Sequence, residues 1–370
     1  MQVKPLGKCG VKQLLKEEFW KNKRVYLTGH TGFKGGWLSL WLSKMGAEVK
    51  GYALEPESVP NLFKEARVAE KIVSEIGDIR NLDQLETSMV SFNPDILIHM
   101  AAQPLVRLSY NEPVETYETN VMGTVKVLEA ARNCSNLKSI VIVTTDKCYE
   151  NKEWDWGYRE DEAMGGFDPY SSSKGCAELV TSAYRRSFLQ DNGVGVATAR
   201  AGNVIGGGDW ADDRLIPDIL KAFQNKEPVV IRNPKATRPW QHVLEPLCGY
   251  LMLAEKLYKE PERYAEGWNF GPKDEDAKPV DWILDSMVKK WHGDANWELD
   301  DNAHPHEARF LKLDISKAKS RLEWEPTWQL GQTLERIVQW HQSWLNKEDV
   351  QSICLEEINE YMRDMNNENN

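Results

Sequence analysis

The sequence has little cysteine, and none of it is paired. Cys9, Cys134, Cys148, Cys176, Cys248 and Cys354 are scattered over 370 residues. No C-x-x-C occurs, and no Cys/His spacing resembles a zinc site, so neither a disulfide framework nor a structural metal is expected. Scattered single cysteines suit a reducing compartment. No run approaches the roughly 18 apolar residues of a membrane span. Met1–Trp20 is charged through Lys12–Glu18 and has no apolar core, so a secretory signal is not expected either. Positive charge is the minority, with 46 Lys and Arg against 57 Asp and Glu, for a net charge of −11. Such a chain repels polyanions, which excludes general nucleic-acid and acidic-membrane binding but not small anions held by a local field. The expectation is a soluble, cytoplasmic protein without internal repeats or low-complexity runs.

What is present looks globular. Hydrophobic residues make up 41% and charged residues 28%. At roughly 100–200 residues per domain, the length predicts two domains, or one with an added lobe. Fifteen Trp is a high count. Their N–H groups need partners when buried, so many are expected to line grooves or interfaces.

Short apolar runs alternate with helical patterns through the first half. Arg24–Thr28, Glu48–Ala53, Asp95–Met100, Ser139–Thr144 and Val194–Arg200 read as buried strands. Trp37–Met45, Asn120–Arg132 and Tyr170–Asp191 read as helices. This alternation predicts an α/β chain with a Rossmann-type, doubly wound parallel sheet. From about Gly206 the elements shorten and Pro, Trp and charge increase. Leu215–Phe223 and Pro246–Leu257 look helical, and Trp268–Phe270 looks like a strand. The expected division is a dinucleotide-binding domain over 19–205, to which a segment near 240–270 returns, and a smaller, interleaved C-terminal α/β lobe for substrate over 206–350. A disordered tail is expected at 366–370.

The run Gly29-His30-Thr31-Gly32-Phe33-Lys34-Gly35 follows a strand and opens a helix. Glycines there let the backbone approach a pyrophosphate, and the helix N-terminus offers N–H groups and positive potential to it. About twenty residues on, Glu55 stands where an acidic side chain binds a ribose 2′-hydroxyl, favouring NAD over NADP. An ordinary loop position is the other reading of Glu55. Tyr170 and Lys174 are spaced i, i+4, on one helix face, after an Asp168-Pro169 helix start. A phenol with a pKa of about 10 is too weak a base at neutral pH. A cation one turn away, with a nicotinamidium nearby, favours its phenolate and lets it take a hydroxyl proton.

These motifs, with GDIR, HMAAQPLVRLSY, TNVMGT, TDKCYEN, RAGNVIGGGDWADDRLIPD, IRNPKATRPWQHVLEPL and WNFGP, resemble the extended short-chain dehydrogenases/reductases that act on nucleotide sugars, over roughly Phe19 to Asp364. The resemblance implies NAD as cofactor. It places Gly29, Thr31, Gly32, Phe33, Lys34 and Gly35 around the pyrophosphate, and Asp78 and Ile79 at the adenine. Ala101, Ala102 and Gln103 would lie beside the ribose and nicotinamide, and Thr119 is a further cofactor-binding candidate. Thr145, Tyr170 and Lys174 match the catalytic triad.

Asp146 and Lys147 match the positions that carry dehydration in the family, where the dTDP-glucose branch has Asp and Glu. Asp146 is the expected acid for the departing hydroxyl. Lys147 stands as base or as enolate-stabilising cation, and an ordinary loop ion pair is the plainer reading of the two. Asn203, Arg238 and Arg309 match substrate-diphosphate contacts, and Arg107, Arg214 and Arg232 are weaker candidates. The implied activity is a 4,6-dehydration of a nucleotide sugar, with CDP-D-glucose the expected substrate, as a step toward 3,6-dideoxyhexoses of a surface polysaccharide. Alternatives are a dehydratase or 4-epimerase of a UDP-, dTDP- or GDP-linked sugar. A non-catalytic NAD(H) sensor is the reading from another class, but such proteins lose the Tyr or Lys that this chain keeps. A homodimer or homotetramer is implied through helices near Asn120–Arg132 and Tyr170–Asp191. His304 and His306 lack a third ligand at suitable spacing, so no metal is expected. Trp154 and Trp156 suggest either a stacking loop or ordinary packing.

Overall fold

The computed structural model describes residues 15–56, 58–291, 293–300 and 311–367. In chain order its strands are β1 (Arg24–Thr28), β2 (Glu48–Ala53), β3 (Val73–Ile76), β4 (Ile96–His99), β5 (Ser139–Val143), β6 (Gly195–Ala201), β7 (Asn203–Ile205), β8 (Val229–Ile231), β9 (Thr237–His242), β10 (Gly267–Phe270), β11 (Ala277–Pro279) and β12 (Trp297–Leu299). Seven form one sheet in the order β10-β6-β5-β4-β1-β2-β3, and every pairing in it is parallel. The strand order reverses between β1 and β4. In such sheets that reversal opens a crevice for ligands at the carboxyl ends of the strands.

Burial on both faces explains the apolar character of these runs: all five residues of β5 and all seven of β6 are buried. The edge strand β3, only partly buried, has no apolar run to announce it.

Helices cover both faces. They include α1 (Phe33–Lys44), α2 (Leu82–Phe92), α3 (Gly123–Ala131), α4 (Pro169–Tyr184), α5 (Leu215–Asn225), α6 (Leu244–Lys259), α7 (Val280–Lys290), α8 (Leu330–Leu345) and α9 (Val350–Asn367). On one face the core runs from Val25 and Leu27 through Trp37, Trp41, Leu247 and Leu251 to Ile358 and Tyr361. On the other, Leu97 and Ile140 pack on Leu85, Met89, Val127 and Leu128. A separate cluster joins α5, α7 and α8 beside β8 and β9. There β11, β9 and β7 form a three-stranded sheet and β12 pairs with β8.

Two expectations change. The tail does not begin at 366, because α9 continues through Asn367; residues 368–370 lie outside the described residues. The Trp side chains are mainly core. Trp20, Trp37, Trp41, Trp240, Trp268, Trp324, Trp328 and Trp340 are buried. Several satisfy their N–H internally: Trp37 donates to the Gly207 carbonyl at 2.9 Å, Trp268 to Tyr264 at 3.0 Å and Trp324 to Glu245 at 3.2 Å. At these three side chains backbone carbonyls remove the need for a groove, whereas the indole nitrogens of Trp20, Trp41 and Trp240 are buried without a protein partner among the described residues.

Candidate active site

The glycine turn sits at the end of β1. Gly29 has φ +81°, in the region that favours glycine, and a Cβ there would stand 2.7 Å from the Ala101 amide nitrogen. A Cβ on Gly35 would stand 2.0 Å from the Gly29 carbonyl oxygen. The turn therefore closes tightly on the start of α1. Gly32, the N-cap of that helix, supplies no side-chain cap and is exposed. The first-turn amides thus lack a side-chain acceptor and face an open cradle that suits a pyrophosphate. The Thr31 hydroxyl is spent locally, on the Leu54 carbonyl at 2.8 Å.

Around this cradle the other cofactor candidates divide. Ala101 and Ala102 follow β4 directly, and Thr119 is half-buried just before α3. Gln103 is engaged by protein at both ends of its amide: Nε2 donates to Thr116 at 2.9 Å and Oε1 accepts from the Leu105 amide at 2.5 Å. Ile79 is buried against Gly123. Asp78 lies beyond β3; burial would raise its pKa, but the Arg80 guanidinium, at 2.7 Å, holds it below the ordinary value. Glu55 is exposed, two residues past β2.

The catalytic candidates come together. Asp168 caps α4, accepting from the Ser171 amide at 2.9 Å, and Pro169 occupies the first turn. This places Tyr170 and Lys174, both buried, beside the loop after β5. The Lys174 ammonium reaches the Val143 carbonyl at 3.4 Å. Burial lowers its pKa to about 8, with Glu178 pulling the other way. The Tyr170 phenol is hydrogen-bonded to Thr145. Its pKa is pushed up to about 12 by burial, against the lowering effect of Thr145 and Arg214. In the chain alone, desolvation thus outweighs the lowering by Thr145 and Arg214.

Thr145 Oγ1 lies 2.9 Å from Asp146 Oδ1, and the other carboxylate oxygen, Oδ2, is buried with no protein partner. Lys147 is more open, with its ammonium 3.9 Å from Asp146 Oδ1. Gly202 lies against this carboxylate; a Cβ there would be 3.1 Å from Asp146 Oδ2.

Behind the cluster lies a buried ionic network that the sequence reading did not include. Glu178, one turn after Lys174, pairs with Arg200 of β6 at 2.9 Å and accepts from Thr144 at 2.5 Å and Thr198 at 2.6 Å. Arg200 also donates to the Tyr149 hydroxyl at 2.6 Å, which donates to Asn269 of β10 at 2.7 Å. A charged residue inside the apolar run of β6 was the available signal. Asn120 is a second omission. Its amide donates to the Gln103 carbonyl at 3.0 Å and to Ser173 at 2.9 Å, joining the β4 end to α4.

The substrate candidates are more dispersed. Arg214 pairs with Asp209 at 2.9 Å and acts electrostatically on Tyr170, so it borders the catalytic cluster. Arg107 is exposed and pairs with Asp213. Asn203 and Arg238 are half-buried on β7 and β9, with Arg238 donating to the Thr237 carbonyl at 3.0 Å. Arg232, just past β8, lies 3.9 Å from Asp300, and no described contact ties it to the cluster. Arg309, His304 and His306 lie outside the described residues. Trp154 packs on Tyr158 at 5.3 Å, leaving Trp156 as the exposed ring of the pair. Among the described residues, no helix is long and apolar enough to cross a membrane.

The GDP-mannose 4,6-dehydratase family profile matches residues 27–337. A CDP-glucose 4,6-dehydratase of Salmonella typhimurium is 58% identical over 354 residues, covering 94% of this chain and 99% of its own. Among solved structures, a UDP-glucose 4-epimerase of Thermotoga maritima with UDP-glucose has a TM-score of 0.74 at 20% identity, covering 87% of this chain and 99% of its own. A dTDP-glucose 4,6-dehydratase of Bacillus anthracis in complex with NAD has a TM-score of 0.70 at 22% identity, covering 87% and 97%.

Proposed function

The chain belongs to the GDP-mannose 4,6-dehydratase family, and from that premise we propose that it is an NAD-dependent hydro-lyase converting CDP-D-glucose to CDP-4-dehydro-6-deoxy-D-glucose and water. The observation that carries the reading is the 58% identity to a CDP-glucose 4,6-dehydratase over nearly the full length of both chains. The clustering of Thr145, Asp146, Tyr170 and Lys174 supports it.

The cradle formed by Gly29, Gly32 and Gly35 fits a dinucleotide diphosphate, and a Cβ at Gly29 or Gly35 would close it. When bound, NAD supplies reversible hydrogen transfer, taking from C4 and giving back at C6. Tyr170 takes the proton of the 4-hydroxyl while Thr145 donates to the same oxygen. Lys174 would hold the nicotinamide ribose, and its charge with that of the bound cofactor would offset the burial that raises the Tyr170 pKa. The new ketone acidifies the C5 proton. The unpartnered Oδ2 of Asp146 supports its role as the acid that would protonate the departing 6-hydroxyl. Lys147, its ammonium 3.9 Å from Asp146 Oδ1, would serve as base for C5 or as a cation beside the enolate.

The nucleotide sugar would lie over β7 and β9, with Asn203, Arg214 and Arg238 on its diphosphate, since Arg binds such groups with forked donors. Arg107, Arg232 and Arg309 are the remaining diphosphate candidates, Glu55 the candidate for the ribose, and Asp78 with Ile79 for the adenine. The domain reading is 19–205 with 240–270 for cofactor and 206–350 for substrate. Exposed Val114, Tyr117, Met122, Leu179 and Phe188 on and near α3 and α4 support a homodimer or homotetramer through those helices. A cytoplasmic location and a role toward dideoxyhexoses complete the proposal.

A substrate panel tests it. Purified protein with NAD is given CDP-, dTDP-, UDP- and GDP-glucose, and products are weighed by mass spectrometry. Loss of water from CDP-glucose is expected. Loss only from another nucleotide sugar would overturn the substrate, and no loss from any would overturn the reaction.

A further inference from the structure

The buried pair Glu178–Arg200 touches both elements that carry the catalytic candidates. Glu178 lies on α4, one turn after Lys174, and Arg200 lies on β6. Their side chains meet twice, with Arg200 Nε donating to Glu178 Oε1 and Nη2 to Oε2, each at 2.9 Å. Gly267 of β10 leaves room for the guanidinium, since a Cβ there would stand 2.5 Å from Nη2. A buried ion pair of this kind is costly to desolvate and stabilises a fold no better than apolar packing of the same volume. What the pair holds is therefore more informative than its own attraction.

It holds the loop after β5 at both ends. At the start, the Thr144 hydroxyl donates to Glu178 Oε1 at 2.5 Å. At the end, the Tyr149 hydroxyl accepts from Arg200 Nη1 at 2.6 Å and donates to Asn269 of β10 at 2.7 Å. Between these two anchors lie Thr145, Asp146 and Lys147. Arg200 Nη1 also donates to the Glu160 carbonyl at 3.0 Å, in the segment that returns from the loop to α4. Thr198 donates to Glu178 Oε2 at 2.6 Å, but from within β6 and outside the loop. Resting on the dehydratase reading above, we propose that Glu178 and Arg200 are positioning residues, which fix the loop carrying Thr145, Asp146 and Lys147 against the helix carrying Tyr170 and Lys174.

The proposed reaction needs that registration. Thr145 and Tyr170 act on one sugar oxygen from two different elements, and Asp146 serves a second oxygen of the same bound sugar. Misplacing such groups by about 1 Å costs on the order of 10²-fold in rate. The loop cannot hold this direction by itself, because Asp146–Cys148 is a single turn of three residues.

Removing either charge leaves the other buried and unpaired, which destabilises the whole fold. The test therefore removes one hydrogen bond at a time from the full-length chain. Thr144→Val and Thr198→Val each delete one hydroxyl donor to the same carboxylate and keep the side-chain shape, so similar falls in melting temperature are expected. Turnover of CDP-glucose with NAD separates them. Thr144→Val lowers kcat about tenfold, as does Tyr149→Phe at the other anchor. In both, KM for the sugar and Kd for NAD stay within about twofold of native. Thr198→Val keeps the native kcat, and Thr144→Ser, which restores the hydroxyl, recovers it. Equal kcat in Thr144→Val and Thr198→Val overturns the proposal, as does a loss seen in KM alone or one that Ser does not restore. A native kcat in Tyr149→Phe overturns it for Arg200. A native chain that does not dehydrate CDP-glucose overturns the dehydratase reading itself, and the positioning role with it.

Discussion

Thr145 Oγ1 and Asp146 Oδ1 lie 2.9 Å apart, and the second oxygen of that carboxylate is buried with no protein partner. One short loop after β5 thus holds a hydroxyl and an unengaged carboxylate oxygen side by side, the two groups proposed to serve the sugar's C4 oxygen and its C6 side. The proposed acid is held by one oxygen and left to act with the other.

Replacing Asp146 by Asn keeps the shape and removes the acid. The sugar should be oxidised but not dehydrated, and reduced nicotinamide should accumulate on the protein. Its absorbance during a single turnover is the readout. A variant that loses activity without that absorbance would count against Asp146 as the acid.

Tyr170→Phe removes the proton acceptor for the 4-hydroxyl and should lower turnover by about 10²–10⁴-fold, with no reduced nicotinamide formed. Turnover of the native chain should rise with pH as the phenol deprotonates. Its pKa in the chain alone is pushed up to about 12, so the apparent value in the ternary complex should be lower. Steady-state profiles with saturating sugar measure that difference.

The glycine turn allows a sharper steric test. Gly35→Ala places a Cβ where 2.0 Å separates it from the Gly29 carbonyl, and backbone must move to admit it. Weakened NAD binding with a lower melting temperature is expected. Gly331→Ala, whose Cβ meets nothing within 4 Å, serves as the neutral control.

Buried histidines set the acid limit of the fold. Burial lowers the pKa of His30 and His341 to about 4 from an ordinary 6.5. Each folded pKa lies below the unfolded one, so the unfolded chain binds more protons between these values. Stability is therefore greatest above pH 6.5 and falls as pH drops toward 4, by roughly 3 kcal/mol per ring when complete. Glu178 acts in the same direction: burial would raise its pKa, but Arg200, Thr144 and Thr198 together hold it down, and its contribution is lost on acidification. Melting temperatures across this range, for the native chain and for His341→Phe, test the share of one ring.

Much of this was legible in the sequence, for physical reasons. A doubly buried strand must be apolar, so β1, β4, β5 and β6 stand out as runs. The glycine turn and the Tyr170–Lys174 pair stand out because each function needs fixed residue types at fixed spacing. What was hidden depends on tertiary partners. Some Trp side chains, such as Trp37 and Trp324, could be buried because backbone carbonyls distant in sequence accept their N–H groups. Glu178 and Arg200 could enter the core because each satisfies the other. The edge strand β3 and the last turns of α9 carry too little apolar pattern to be read. The approach of the Lys34 ammonium to the Tyr250 ring of α6 follows from tertiary packing and not from local sequence.

The most direct measurement follows one atom. CDP-glucose carrying deuterium at C4 is converted by the purified protein with unlabelled NAD, and the product is located by mass spectrometry and NMR. The account requires loss of water with deuterium now at C6, because the hydrogen removed from C4 is the one returned. Product without deuterium at C6, or deuterium back at C4 with the water retained, would contradict it.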